Sequence, residues 1–236
     1  MEFDKDQSHR PWIALFSQTG SEIAYLANQI TFTEGRNRWP DAIITNKHKN
    51  QLLTIDPELL SELQPDTYKT PPGVKKLPNL LFISSTPTEE ELESIFSEYD
   101  NPIITLHGWL RIIPPALCSK YEIYNGHPAW LFQYPELKGK DPQKRAWDGN
   151  YYYGGMVIHR VTEKLDEGKI ALHGGFVMSD FDTYREYMAY LKHGMRNLWR
   201  HVFQNIKFWK NPFEDKHMQQ PKDVEQFEDN LKHNKI

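Results

Sequence analysis

The run Trp12-Ile13-Ala14-Leu15-Phe16, then Ser17-Gln18-Thr19-Gly20-Ser21, then Ile23, Leu26, Ala27 and Ile30, decides the fold. A short unbroken apolar run suits a strand covered on both faces, because no position needs to meet water. Small and polar residues then close a tight turn, and apolar residues recurring every three or four positions predict an amphipathic helix. The order is strand, turn, helix. It recurs downstream. Ala42 to Thr45 reads as a second strand, Pro57 to Leu63 as a brief helix, Leu80 to Ile83 as a third strand and Ile103 to Leu106 as a fourth. Between the last two, Thr88 to Tyr99 predicts a helix with Thr88 as N-cap and Glu89 to Glu91 at the positive end of the helix dipole. The stretch from Asp66 to Asn79, rich in proline and lysine, reads as a surface loop. Short apolar strands alternating with amphipathic helices call for a mostly parallel sheet flanked by helices, a Rossmann-like α/β fold.

The second half of the chain changes character. Tyr151 to His159 and Lys169 to Met178 read as strands, with the turn-like Leu165-Asp166-Glu167-Gly168 between them, and are expected to pair as an antiparallel extension. By default such a turn places Gly168 at positive φ. A long helix is expected from about Thr183 to Trp209, with Tyr187, Tyr190, Leu191, Met195, Leu198, Val202, Phe203 and Ile206 on its apolar face. The expected organisation is an N-terminal extension (1–11), a catalytic domain (12–210) and a polar tail (211–236) that docks loosely or is disordered.

Composition excludes several classes. Across 236 residues, 7 Trp, 12 Tyr and 12 Phe supply bulky core material although hydrophobic residues make up only 39%. A net charge of -4 with interspersed signs is no footprint for nucleic acid, so none is expected as a partner. The single cysteine, Cys118, cannot form an internal disulfide and fits a reducing compartment. The first ten residues have no apolar signal core and no run approaches membrane-spanning length, so a soluble, cytoplasmic chain is expected, as monomer or homodimer.

The segment Tyr124-Asn125-Gly126-His127-Pro128 carries the chemistry. In an extended chain, Asn125 and His127 project to the same side, an amide beside an imidazole. Downstream, Gly154-Gly155-Met156-Val157-Ile158-His159 leads into Glu163-Lys164-Leu165-Asp166-Glu167-Gly168. In this order the motifs resemble those of the folate-dependent formyltransferase family, typified by glycinamide ribonucleotide and methionyl-tRNA formyltransferases: Asn-x-His-Pro, a glycine-led strand, then Asp-x-Gly. Gly108-Trp109-Leu110-Arg111-Ile112-Ile113 is similar to the family's Gly-[Phe/Tyr]-Met-Arg-Ile-Leu segment. Ser17-Gln18-Thr19-Gly20-Ser21-Glu22 is similar to its Ser-Gly-x-Gly-[Thr/Ser]-Asn turn. The likeness covers roughly residues 12–205.

The resemblance implies formyl transfer from 10-formyltetrahydrofolate to a primary amine, with Asn125, His127 and Asp166 catalytic and no metal. An amine attacking a formamide carbonyl creates an oxyanion, which Asn125 and a protonated His127 could stabilise by hydrogen bonds. Asp166 would favour the charged imidazole and assist loss of the amine proton. It further implies that the folate lies beside Arg111, Ile112 and Ile113 and the backbone of Glu163, Lys164 and Leu165, with His159 in support. Thr19, Gly20, Ser21 and Glu22 would hold an acceptor phosphate at a helix N-terminus. Glycinamide ribonucleotide is the first acceptor implied, an amino-sugar nucleotide the second, a charged tRNA the third. Three features depart from the pattern on the acceptor side. Gln18 and Glu22 replace a glycine and an asparagine, Lys192-His193 stands in place of Glu-His, and the link from Leu131 to Gly139 is longer. Two rival readings remain: a folate- or nucleotide-binding protein of the same fold without turnover, and a metal site drawing on His127, His159, His173 and Asp166, whose spacing matches no compact zinc motif.

Overall fold

In the computed structural model, residues 10–29, 39–63 and 79–206 are described. The expected 66–79 loop, Ile30, the 211–236 tail and any helix beyond Ile206 fall wholly or largely outside them. β1 (Trp12–Phe16) leads into α1 (Ser21–Gln29), followed by β2 (Ala42–Thr45), α2 (Pro57–Leu63), β3 (Asn79–Phe82) and α3 (Glu89–Phe96). After β4 (Ile103–Leu106) come α4 (Pro115–Lys120), β5 (Glu122–His127) and α5 (Pro142–Asp148). β6 (Tyr153–Arg160), β7 (Ile170–Val177) and α6 (Tyr184–Ile206) close the described chain, and short 3-10 turns interrupt it at Lys49–Thr54, Pro135–Leu137 and Met178–Asp180.

The strands form one seven-stranded sheet in the order β3-β2-β1-β4-β5-β6-β7. β1 to β5 run parallel; β6 is antiparallel to β5, and β7 to β6. The expected mixed sheet with an antiparallel extension is therefore what forms. All five residues of β1 are buried because both faces are covered. One face packs Trp12, Ala14 and Phe16 with residues of α1 and α6. The other packs Ile13 and Leu15 with Leu92 and Phe96 of α3 and Leu117 and Cys118 of α4. Thr88 caps α3 as expected, its hydroxyl accepting from the Glu91 amide at 3.2 Å.

The long helix buries Tyr187, Leu191, Met195, Trp199, Val202 and Phe203. This stripe corrects the expected one. Tyr190 is 48% exposed, and the fully buried Trp199 takes the central place. Tryptophan there is possible because its neighbour on β5 is Gly126: a Cβ at that position would lie 2.9 Å from both Met195 Sδ and Trp199 Nε1. The glycine between Asn125 and His127 thus lets α6 sit down on β5, which holds the strand that carries both side chains. Gly126→Ala is expected to overpack this contact and cost about 1–3 kcal/mol. Urea unfolding measures it, and an unchanged midpoint and slope would refute the close packing.

Candidate active site

Asn125 and His127 alternate on β5 and project to the face opposite α6. Asn125 stands across from His159 on β6 in the antiparallel register, and the Asn125 Nδ2 and His159 Nε2 atoms are 3.3 Å apart. Asp166 enters from the β6–β7 connection. Its Oδ2 lies 3.4 Å from His127 Nδ1, and its Oδ1 lies 3.4 Å from His159 Nε2. The Gly139 amide donates to Oδ2 at 2.8 Å. The structure therefore brings Asn125, His127, His159 and Asp166 together from two strands and a turn, with Asp166 bridging the imidazoles.

The turn achieves this in a way the sequence did not announce. The positive φ expected at Gly168 is found at Asp166, with φ 51°. An aspartate tolerates this left-handed conformation better than most residues. Gly168 is needed for space instead, since a Cβ there would fall 1.7 Å from the Arg160 carbonyl oxygen.

Burial sets the electrostatics. Only 8% of the Asp166 side chain is exposed. Burial opposes its ionisation, but the His159 hydrogen bond, the His127 charge and the Gly139 amide outweigh it, so the carboxyl titrates below the usual range. For His127 the balance falls the other way. Burial lowers its pKa more than Asp166 and the Leu137 carbonyl raise it. The expected protonated His127 is thus not the resting form. Its Nε2 lies 3.1 Å from the Leu137 carbonyl oxygen, an acceptor only, so that nitrogen carries the hydrogen.

The other expected residues are partly assembled. Leu110, Ile112 and Leu165 are 57%, 75% and 56% exposed, whereas Ile113 is buried. Arg111 is turned to the Ser85 and Leu110 carbonyls at 2.7 and 2.9 Å. Glu163 and Lys164 are exposed, and the Lys164 carbonyl already accepts from Thr162 Oγ1 and the Glu167 amide. At the start of α1, Thr19 Oγ1 accepts from the Ser21 amide at 3.3 Å. Glu22 turns to His107, with Oε2 2.6 Å from Nδ1. His107, given no role from sequence, is buried at 4% exposure. A histidine directly after a buried strand was the available signal. Cys118 lies on α4, and burial pushes its thiol pKa up. Among the described residues, no group of three or more His, Cys, Asp and Glu is placed to hold a metal ion, and no helix is long and apolar enough to cross a membrane. A cavity of about 320 Å³ between Ser97, Lys120 and Glu122 opens at the opposite ends of β4 and β5, away from this cluster.

Comparison with known proteins bears on the family and the fold. The formyl transferase family model matches residues 15–198. A phosphoribosylglycinamide formyltransferase of Dictyostelium discoideum is 32% identical over 94 residues, covering 35% of this chain and 44% of that protein. A methionyl-tRNA formyltransferase of Fervidobacterium nodosum is 28% identical over 115 residues, 48% of this chain and 36% of that one. The chain thus matches less than half the length of these relatives. The crystal structure of phosphoribosylglycinamide formyltransferase from Anaplasma phagocytophilum superposes with a TM-score of 0.66 at 19% identity, covering 85% of this chain and 88% of that one.

The pairing of imidazole and carboxylate makes a direct prediction. In an NMR titration, the His127 ring should titrate below the ordinary histidine value of about 6.5. Asp166→Asn should lower it further, because the carboxylate is the main influence raising it. A midpoint at or above the ordinary value, or an upward shift in the variant, would refute this assignment.

Proposed function

This chain belongs to the formyl transferase family, and on that premise we propose that it moves a formyl group from 10-formyltetrahydrofolate to a primary amine. The observation that carries this reading is the joint placement of Asn125, His127 and Asp166. A carboxyl held ionised, an imidazole kept neutral by burial and an amide donor meet at one strand end. Such a set suits attack by an external amine and calls for no enzyme nucleophile. The buried, pKa-raised Cys118 is not suited to supply one.

In this mechanism the amine nitrogen bonds to the formyl carbon, and the carbonyl oxygen becomes an oxyanion. Asn125 Nδ2 and the His127 Nε2–H donate to it, the substrate oxygen replacing the Leu137 carbonyl as the imidazole's acceptor. Asp166 takes the proton released by the amine, directly or through water. The bond from carbon to the donor's N10 then breaks as N10 receives the proton held by Asp166, and tetrahydrofolate and a formamide leave. The donor would lie against the exposed apolar side chains of Leu110, Ile112 and Leu165, beside Arg111, buried Ile113 and the Glu163–Leu165 backbone, with His159 in support. Thr19, Gly20, Ser21 and Glu22 would face the acceptor. Glycinamide ribonucleotide is the first acceptor to try, in keeping with the Dictyostelium relative's name, and an amino-sugar nucleotide the second.

Full-length protein with 10-formyltetrahydrofolate and an amine panel should release tetrahydrofolate, read by absorbance, only when an acceptor is present. Release without any amine would mean hydrolysis instead, and folate binding without release would favour a binding protein. Asn125→Ala, His127→Ala and Asp166→Asn should each lower kcat by about 10²–10³-fold with unchanged circular dichroism. Near-normal turnover in any two of them would sink the mechanism.

A further inference from the structure

The strand order reverses between β1 and β4: the chain leaves β1 towards β2 on one side and leaves β4 towards β5 on the other. In open α/β sheets the connections diverge at such a point and leave a crevice at the carboxyl ends of the strands, where ligands bind. Here the two loops are stitched at their base, Ser17 N donating to the Gly108 carbonyl at 3.2 Å and Leu110 N to Ser17 Oγ at 2.9 Å. Glu22 and His107 stand just above. The register that aligns Leu106 with Asn125 sets His107 level with Gly126, on the α6 side of the sheet, with the proposed catalytic pair on the other side.

The Glu22 carboxylate is the end of a buried hydrogen-bond relay. Trp12 Nε1 can only donate, and does so to Thr105 Oγ1 at 2.8 Å. The Thr105 hydroxyl hydrogen is then available to His107 Nε2, also at 2.8 Å. The Glu22 carboxylate oxygen can only accept, so His107 Nδ1 carries a hydrogen and donates to Oε2 at 2.6 Å. Trp12, Thr105 and His107 are at most 4% exposed, and the His107 ring is held 4.7 Å from that of Trp199. Glu22 keeps 20% of its side chain exposed. His107 therefore fixes the direction of a carboxylate that still reaches the crevice.

Three amides of the same turn are already engaged. The Ser21 amide is taken by Thr19 Oγ1, and the Ile23 and Ala24 amides by the Gly20 carbonyl. Arg196, which α6 brings to this turn, faces the Tyr25 ring at 4.6 Å and the Ser21 carbonyl at 3.4 Å. The Gln18 side chain fills the space over Gly108, where a Cβ would sit 3.1 Å from its Oε1.

We propose that this crevice binds the acceptor through hydroxyl or ammonium groups that donate to Glu22, and that it selects against a phosphate there. The inference rests on the formyl-transfer reading of the site and narrows its acceptor to an amine that presents a sugar or a cation at this position. It argues against the phosphate-holding role that the family resemblance implies for Thr19 to Glu22.

Glycinamide ribonucleotide and glycinamide riboside differ only in the phosphate, so their calorimetric titration into the full chain tests the point. The riboside should bind at least as tightly as the ribonucleotide. Glu22→Gln keeps an acceptor for His107 but removes the charge, and should turn the preference towards the ribonucleotide by about tenfold, the size expected for one charge-assisted hydrogen bond exchanged for a repulsion. Unaltered binding of a folate analogue reports that the variant is folded; His107→Gln, which frees the carboxylate, should move the ratio the same way and serves if Glu22→Gln does not fold. Tighter ribonucleotide binding by the unmodified chain, an unchanged ratio in both variants, or no binding of either compound would each overturn the proposal. If the binding ratio is as expected but no amine accepts formyl, the reaction fails and this selectivity stands.

Discussion

A carboxylate with 8% of its side chain exposed is tolerable only when its charge is answered, and the Asp166 site is built around answering it. The His159 contact and the Gly139 amide do so, His159 from β6 and Gly139 from the loop that follows β5, while the His127 ring of β5 stands beside the carboxylate, neutral at rest and able to take up charge. The β6–β7 turn accepts a left-handed aspartate to deliver the group. β6 must run antiparallel to β5, since only that register sets His159 opposite Asn125. The departure from an all-parallel sheet thus serves the one buried charge that the site cannot do without.

The sheet divides the work between its faces. Side chains of β5 alternate, so Tyr124 and Gly126 face α6 while Asn125 and His127 face away. On the α6 side the Trp12–Thr105–His107–Glu22 relay runs from the centre of the core to the crevice beside α1. Two carboxylates, Asp166 and Glu22, therefore reach the same sheet end from opposite faces. Each is held by histidine, and the strand β5 lies between them.

Periodicity made the fold legible. β1, β2 and β4 are apolar runs with the same bounds in sequence and structure, and Thr88 caps α3 because its residue type and the following glutamates leave little alternative. What depended on spatial partners was not legible. The stripe on α6 centres on Trp199 because Gly126 makes room for it across the sheet, and nothing local to the helix says so. Gly168 is glycine because Arg160 passes behind it. The motifs named Asn125, His127 and Asp166, but the atoms that complete the site are backbone: the Leu137 carbonyl and the Gly139 amide lie in the longer loop after His127, where no side-chain pattern marks them. Nothing local marks His107, because its partner, Glu22, lies 85 residues away in sequence.

The opposed pKa shifts of Asp166 and His127 also bear on how an amine could be used. At neutral pH most primary amines arrive as ammonium ions, which cannot attack a carbonyl until a proton is shed. A protonated His127 would repel such a guest beside Asn125. Burial keeps the ring neutral while Asp166 stays ionised, so the site presents one negative charge that attracts the ammonium and can share its proton. When that proton passes on to His127 Nδ1, the positive ring is matched by the ionised Asp166 at 3.4 Å and by the developing oxyanion at Nε2. The cost of burying His127 in the resting protein is thus what leaves the site able to respond as charge develops. Glu22 extends the same logic to the far side of β5, where the proposed guest is cationic or hydroxyl-bearing and meets a second carboxylate.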